Sequence, residues 1–456
     1  MKKHISLPHI ALSLSCAFTC IALAASVLVL HTQTRATVHA SAGHSAFPLQ
    51  LAHPQYWYAG HAAVGMQLTC QSPAATSRCF TPQQIHRAYH LSPLYAAGLT
   101  GRGHSIVIVD AFQSPTLRHD LGVFDHTFGL NDPTLHIFAP DGLAPFNQKD
   151  PVQVSWAAEI TLDVEWAHAI APGASINLVL ANPLRAQTLS DFLLSMLRAT
   201  AFAVQNNLGE VVSQSFGGNE ACVSPQVLQL QHKVFAVAID KHMTLLAASG
   251  DRGAAQINCA FTGFVKGVST PASDPLVTAV GGTTLNVSAT VGTYLGETAW
   301  IGSGGGLSSV FARPLFQQGI AGIVGNHRGL PDIAYDGDPR SGVLVVWSSS
   351  GQGKNLAFAF GGTSIGSPQW AGITVLLNQA MGKRIGFLNG VLYQLGKGPA
   401  SPLHDIVNGT NTFMGKVASG ALVIVKGFTA AKGWDPVTGW GTPDAANLVH
   451  LLVGLV

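Results

Sequence analysis

The sequence is short of charge. Of its 456 residues only 10% are Asp, Glu, Lys or Arg, against about 25% in an average soluble protein. The formal net charge is +2 and no basic block occurs, so nothing in it points to nucleic acid as a partner. Cysteine is scarce as well. Of the six, Cys16 and Cys20 fall in an apolar N-terminal run, leaving Cys70, Cys79, Cys222 and Cys259. There is no C-x-x-C and no clustered His/Cys spacing among 19 scattered histidines, which argues against zinc. An even number of cysteines in an oxidising compartment favours disulfides. Proximity favours Cys70–Cys79 and Cys222–Cys259, although four cysteines allow three pairings. Internal repeats and low-complexity linkers are also missing, so one large domain fits better than an array.

Hydrophobic residues make up 47% of the chain, which excludes wholesale disorder. The 50 glycines and 24 prolines predict many tight turns. The N-terminus opens with two lysines and an apolar run from Ile10 to Leu30, followed by "ASA" at Ala40–Ala42. This is the pattern of a secretory signal, residues 1–42, cut near Ala42. An uncleaved membrane anchor is the alternative, because the run approaches spanning length. No second segment is apolar enough to span a bilayer. Residues 43–79 show no clear periodicity and read as an extended lead-in.

Beyond it, apolar runs alternate with helical patterns. Strands are predicted at Ser105–Phe112, Ser175–Ala181, Glu210–Phe216, Met243–Gly250 and Pro275–Gly282, and longer segments at Leu189–Gln205 and Pro225–Lys241 lie between them. Nearly continuous apolar strands separated by helices indicate a buried parallel sheet covered on both faces.

Several stretches could carry chemistry. "FGGTSIGSPQWAGI" (Phe360–Ile373) places Ser364 in a glycine-rich corner between a strand and a helix. A serine needs a base before it is a nucleophile. "SWAAEITLDVEWAHAIAPGA" (Ser155–Ala174) repeats Ile160, Val164 and Ala167 at i, i+4 and i+7, predicting an amphipathic helix that ends near Ala171–Gly173. Glu159 and Asp163 share one face of it, while Glu165 lies about 200° round from Asp163. Like charges at this spacing cost about 0.2–0.5 kcal/mol. The pair is either two solvated surface carboxylates or a coupled dyad sharing a proton. In "LLAASGDRGAA", Asp251 follows a hydrophobic strand, where open α/β sheets bind ligands; it could equally cap its own turn. "SFGGNE" (Ser215–Glu220) and "SGGGLS" (Ser303–Ser308) could be backbone edges for an extended peptide or ordinary glycine loops. "LHDIVNGTN" (Leu403–Asn411) and "AAKGWDPVTGWGTPD" (Ala430–Asp444) are rich in the hard oxygen ligands that suit Ca²⁺, without EF-hand spacing.

Taken in order, these stretches resemble the sedolisin family, the serine-carboxyl peptidases. The resemblance runs from about Phe80 to the C-terminus, through "CFTPQQIHRAYHL", the Glu-x-x-x-Asp helix ending in "AIAPGA", and "AASGD". It continues through "SDPLVTAVGGTTL", "SGGGLSSVFARP", "GGTSIGSPQWAG" and "HDIVNG…GWDPVTGWGTPD". It implies an α/β fold over residues 80–456, a subtilisin-like doubly wound parallel sheet with helices on both faces. It also implies a secreted, acid-active endopeptidase with Ser364 as nucleophile, Glu159 as general base, Asp163 as its tuning partner and Asp251 in the oxyanion hole. One structural Ca²⁺ would be held by the carboxylates of Asp405 and Asp435 and the carbonyls of Ile406, Ala431 and Gly433. Position 431 is usually glycine in the family, and alanine suits a carbonyl ligand there unless φ is positive. Relatives usually carry a long folded pro-domain, whereas here only residues 43–79 separate the expected signal from "CFTP". The expected partners are protein or peptide substrates and no nucleic acid, with membrane contact only through an uncleaved leader; the expected state is a monomer.

The chemistry agrees with this resemblance. A carboxylate with a pKa near 4–5 can take the serine proton in acid, where a histidine of pKa about 6.5 would already be protonated. An Asp donates to an oxyanion only when protonated. Two rivals remain open. A histidine-based subtilisin-type protease would use Asp110 and His168, but "HGTHVAG" is missing and Glu159 stands in the turn where its histidine would be. A catalytically silent secreted binding protein on the same fold would be marked by loss of a catalytic residue, and none is lost.

Overall fold

The computed structural model describes residues 54–454, apart from 73, 289–290 and 418. The expected signal (1–42) and the first part of the lead-in (43–53) lie outside the described residues.

The central sheet has eight strands. In spatial order they are Leu135–Phe138, Ser175–Ala181, Ser105–Ala111, Val211–Gln214, Thr244–Ala248, Thr278–Val287 and the edge strand Tyr294–Ala299; Ile333–Asp336 also pairs with Thr278–Val287. Every pairing is parallel except that of the edge strand Tyr294–Ala299. The strands read as continuous apolar runs because both faces are covered. In Ser105–Ala111, Ile106 and Ile108 enter one core while Val107, Val109 and Ala111 enter the other. The first core is closed by the helices Leu117–Phe128, Pro151–Ile170 and Gly366–Met381, the second by Leu189–Gln205 and Pro225–Asp240. This is the doubly wound α/β architecture expected. The strand predicted at Pro275–Gly282 is observed as Thr278–Val287, because its second half is drawn onward by pairing with Tyr294–Ala299.

One helix departs from expectation. Pro151–Ile170 starts where the Asp150 side chain accepts from the Val152 N–H and Pro151 takes the first position, a strong start signal. It is not amphipathic: every residue from Trp156 to Ile170 is buried. The sheet, the helices Leu117–Phe128 and Gly366–Met381 and the strand Ser341–Val346 all pack against it, so no face is left to water.

The described part of the lead-in is ordered structure. Gln55–His61 pairs antiparallel with Leu356–Gly361, the strand that leads into Ser364, with Gln55 opposite Gly361. Ser341–Val346 and Arg78–Phe80 complete this second, four-stranded sheet. Both expected disulfides are present, Cys70–Cys79 and Cys222–Cys259. Among the described residues no helix is long and apolar enough to cross a membrane.

The Cys222–Cys259 bridge closes a loop of 37 residues. Replacing both cysteines by serine should lower unfolding free energy by about 2–4 kcal/mol. Urea denaturation should show this as a reduced midpoint; an unchanged midpoint would mean that the loop is held by its other contacts.

Candidate active site

The strand Leu356–Gly361 passes through Gly362 into a 3₁₀ turn, Thr363–Ile365, and then the helix Gly366–Met381. Gly362 has φ +128°, and a Cβ there would lie 2.8 Å from Asp251 Oδ2. Glycine is therefore required twice, for the backbone and for the approach of a carboxyl. Pro368 falls in the first helical turn, where its missing N–H is not needed. The corner leaves Ser364 5% exposed at the wall of a cleft of about 380 Å³.

Glu159 and Asp163 are fully buried, which overturns the reading of them as solvated surface groups. A third carboxyl, Asp110, is equally buried, and no oxygen of the three has a hydrogen-bond partner among the described residues. Loss of water raises the pKa of Glu159 well above its ordinary value, and the charge of Asp110, then that of Asp251, adds to the effect. Asp163 is raised well above its own value by burial, then by Asp110 and Glu159. Burial pushes Asp110 to about 8. Opposing this, the Ser364 hydroxyl favours ionised Glu159 and the Ser215 hydroxyl favours ionised Asp163, although neither contact closes into a hydrogen bond in this geometry. Groups this close titrate together, so three carboxyls hold their protons as a set.

Asp251 lies just past the carboxyl end of Thr244–Ala248, as its position in the sequence implied. Its Oδ1 accepts from both the Thr363 N–H (2.7 Å) and the Thr363 hydroxyl (2.9 Å). Thr363 Oγ1 in turn accepts from the Gly250 N–H. Both donors sit on Oδ1, so Oδ2 is the oxygen left to carry a proton. Burial raises the pKa of Asp251, against the lowering effect of Thr363 and of the neighbouring Arg252 charge.

The histidine-based rival finds no support in this geometry. His168 is fully buried, 3.2 Å from Asp125, and half a helical turn away from the direction of Glu159. Among the described residues no histidine lines the cleft. Glu165, also buried, accepts from the Val346 N–H. Asp110 belongs instead with Glu159 and Asp163, a placement the sequence reading missed. Its signal was a lone acid in "IVIVDAF" at the parity of Ile106 and Ile108, which face the dyad helix. The two glycine stretches also divide. Ser215, Phe216 and Gly217 line the cleft. "SGGGLS" buttresses the Asp251 turn, with the Gly304 N–H donating to the Gly250 carbonyl at 2.7 Å.

The two segments that carry the candidate calcium ligands, 405–406 and 431–435, are joined by a hydrogen bond. The Ala431 N–H donates to Asp435 Oδ2 and the Gly433 N–H to Asp405 Oδ2. Ala431 is not among the residues of positive φ, whereas Gly433 is, at +80°, so alanine is accommodated at 431. Among the described residues no group of three or more His, Cys, Asp or Glu side chains could hold a metal. A site here would depend on two carboxylates plus carbonyls, a donor set of hard oxygen that fits Ca²⁺. Burial pushes Asp435 to about 6.

No family model matches the chain. Kumamolisin from Bacillus sp. (strain MN-32) is 31% identical over 403 residues, 85% of this chain and 66% of kumamolisin. Sedolisin from Pseudomonas sp. (strain 101) is 34% identical over 261 residues, 54% of this chain and 41% of sedolisin. The chain thus spans under two thirds of the length of these relatives. Among solved structures, Pseudomonas sedolisin, a serine-carboxyl proteinase complexed with two molecules of pseudo-iodotyrostatin, matches with a TM-score of 0.69 at 28% identity; the match covers 83% of this chain and 99% of that chain.

The raised carboxyls set the pH dependence of stability. A group whose pKa is higher folded than unfolded holds extra protons in the native state, so its contribution is full below the unfolded pKa and is lost as pH rises through the folded one. For Asp110 that window runs from about 4, the unfolded value, to about 8. The melting temperature should therefore fall between pH 4 and pH 8. Asp110→Asn should flatten part of that fall in a calorimetric series, and a slope identical to wild type would remove Asp110 from the set.

Proposed function

This chain belongs to the sedolisin family of serine-carboxyl peptidases, and on that premise we propose that it is a secreted, acid-active endopeptidase working through Ser364, Glu159, Asp163 and Asp251. The observation that carries the reading is the serine hydroxyl set against a buried, unpartnered Glu159, with the bare Oδ2 of Asp251 near by.

In the proposed reaction Ser364 Oγ attacks the peptide carbonyl carbon while its proton passes to the Glu159 carboxylate. Burial makes that carboxylate a stronger base than one in water. A proton kept on Asp163 or Asp110 removes the repulsion that otherwise opposes the ionised form of Glu159. The oxyanion that develops accepts a hydrogen bond from protonated Asp251, whose Oδ1 is already occupied by Thr363. Glu159 then gives its proton to the leaving amine, and an ester on Ser364 remains. Water attacks that ester with Glu159 again as base, and the proton returns to Ser364. The alkaline limit comes from ionisation of Asp251, whose anion repels the oxyanion, and of the second carboxyl of the buried set.

One structural Ca²⁺ would be held by Asp405 and Asp435 and by the carbonyls of Ile406, Ala431 and Gly433; it would tie the 405–406 and 431–435 segments together. The two disulfides fit an oxidising compartment, and residues 1–42 would be the leader that directs the chain there.

Ser364→Ala should abolish cleavage of a denatured protein at pH 3–4 without unfolding the chain, and Glu159→Gln should cost nearly as much. Asp251→Ala should lower kcat by about 10²–10³. Asp251→Asn, a donor at every pH, should retain more activity and move the alkaline limb upward. Cleavage retained by Glu159→Gln, or identical alkaline limbs in all three Asp251 forms, would contradict the mechanism.

Calcium bound only to the folded chain stabilises it by RT ln(1 + [L]/Kd). A chelator at pH 7 should lower the melting temperature of wild type and leave Asp435→Ala unchanged. The effect should fade below about pH 6, where protons compete for Asp435. A melting temperature indifferent to chelator at pH 7 would contradict the site.

A further inference from the structure

Asp251 is followed by Arg252, and the turn that carries both is fixed from several sides. The Gly250 N–H donates to Thr363 Oγ1, the Gly253 N–H to the Gly302 carbonyl, and the Ala254 N–H to the Asn411 carbonyl. Gly253 has φ +56°, and a Cβ there would collide with the Asn411 carbonyl oxygen. The Arg252 side chain, half-buried, lines the same cleft as Ser364.

A guanidinium has five N–H donors, and none from Arg252 is given to a hydrogen bond or ion pair within the described residues. Three other arginines are paired with carboxylates: Arg328 with Asp332, Arg340 with Asp338 and Arg198 with Asp141. Among the described residues, the charge that acts on Arg252 is that of Asp251. In the reaction proposed above Asp251 is protonated, so at the moment of catalysis Arg252 has no counter-charge. A neutral peptide filling the cleft would strip water from an unpaired cation, which is costly; an anionic one would pair with it. The side-chain amide of Gln256 lines the same cleft, also without a hydrogen-bond partner among the described residues, and offers a second N–H.

We propose that Arg252, assisted by Gln256, is a specificity residue that selects peptides carrying an anionic group close to the cleaved bond. The anion is a carboxylate, supplied by an acidic side chain or by the free C-terminus of a short peptide. Planar, two-pronged donation to a carboxylate is what a guanidinium does best. The inference rests on the peptidase reading for its catalytic consequence, but its binding consequence stands apart from catalysis.

The test is a neutral, C-terminally amidated peptide in which cysteic acid, anionic at every pH used, replaces serine at each position in turn, plus the neutral parent with a free C-terminus. Wild type should cleave one member with kcat/KM at least about tenfold above its neutral counterpart, the usual worth of one charge-assisted hydrogen bond. Arg252→Gln should bring that ratio close to one. Preference for an internal cysteic acid identifies a side-chain site, and preference for the free acid identifies a C-terminal one. The same peptides are titrated onto Ser364→Ala, where affinity is read without cleavage. A matching preference in Kd, lost with Arg252→Gln, supports the proposal even if the wild type cleaves nothing, an outcome that would sink only the peptidase reading. Equal Kd values for anionic and neutral peptides, or a preference that survives Arg252→Gln, overturn it.

Discussion

Glu159, Asp163 and Asp110 are shut away from water, and among the described residues none of their carboxyl oxygens has a hydrogen-bond partner. A protein interior cannot hold three such charges at once, because each loses its hydration and repels the others. The arrangement is tolerable only if protons are retained on some of the groups, and that single constraint links the scaffold to its chemistry. It makes acid the condition in which the native state is least strained. It also leaves Glu159 a more avid proton acceptor than a surface carboxylate, beside a serine that has a proton to lose.

The scaffold enforces this desolvation by ordinary packing. Alternation along Ser105–Ala111 sends Asp110 to the same side as Ile106 and Ile108, toward the dyad helix. That helix is enclosed on all sides, so its two acids have nowhere else to go. The serine helix packs directly against it, which brings the Ser364 corner to Glu159. Across the corner, Gly362 leaves room for Asp251 and Thr363 takes up one of its oxygens. Arg252 then projects into the cleft from a turn that cannot easily move.

Much of this was legible in the sequence, for identifiable reasons. The strand at Ser175–Ala181 and the helix at Leu189–Gln205 fall where the alternation of apolar strands and longer segments put them, and both disulfides join sequence neighbours. The spacing of Glu159 and Asp163 placed them on one helix face, and "SGD" after an apolar run placed Asp251 at a strand end. The burial of the dyad helix was not legible. Its i, i+4, i+7 apolar pattern looked like one stripe because Glu159, Asp163, Glu165 and His168 interrupt it, and only tertiary packing shows that those polar residues are inside too. Asp110 was seen, but as a marker of a different catalytic machinery. A lone acid in a strand does not reveal which helix will cover it. The guanidinium of Arg252 could not be read at all, since its lack of partners among the described residues is a property of the folded cleft.

The central proposal is that Ser364 is acylated because the buried Glu159 carboxylate takes its proton. The most direct measurement is to mix enzyme and a slow ester substrate at pH 3.5, quench in strong acid within the first turnover, and map the labelled peptide by mass spectrometry. The account predicts an acyl group on Ser364, formed in a burst by wild type and not detectably by Glu159→Gln. An acyl group on any other residue, or the same burst rate in Glu159→Gln, would contradict it.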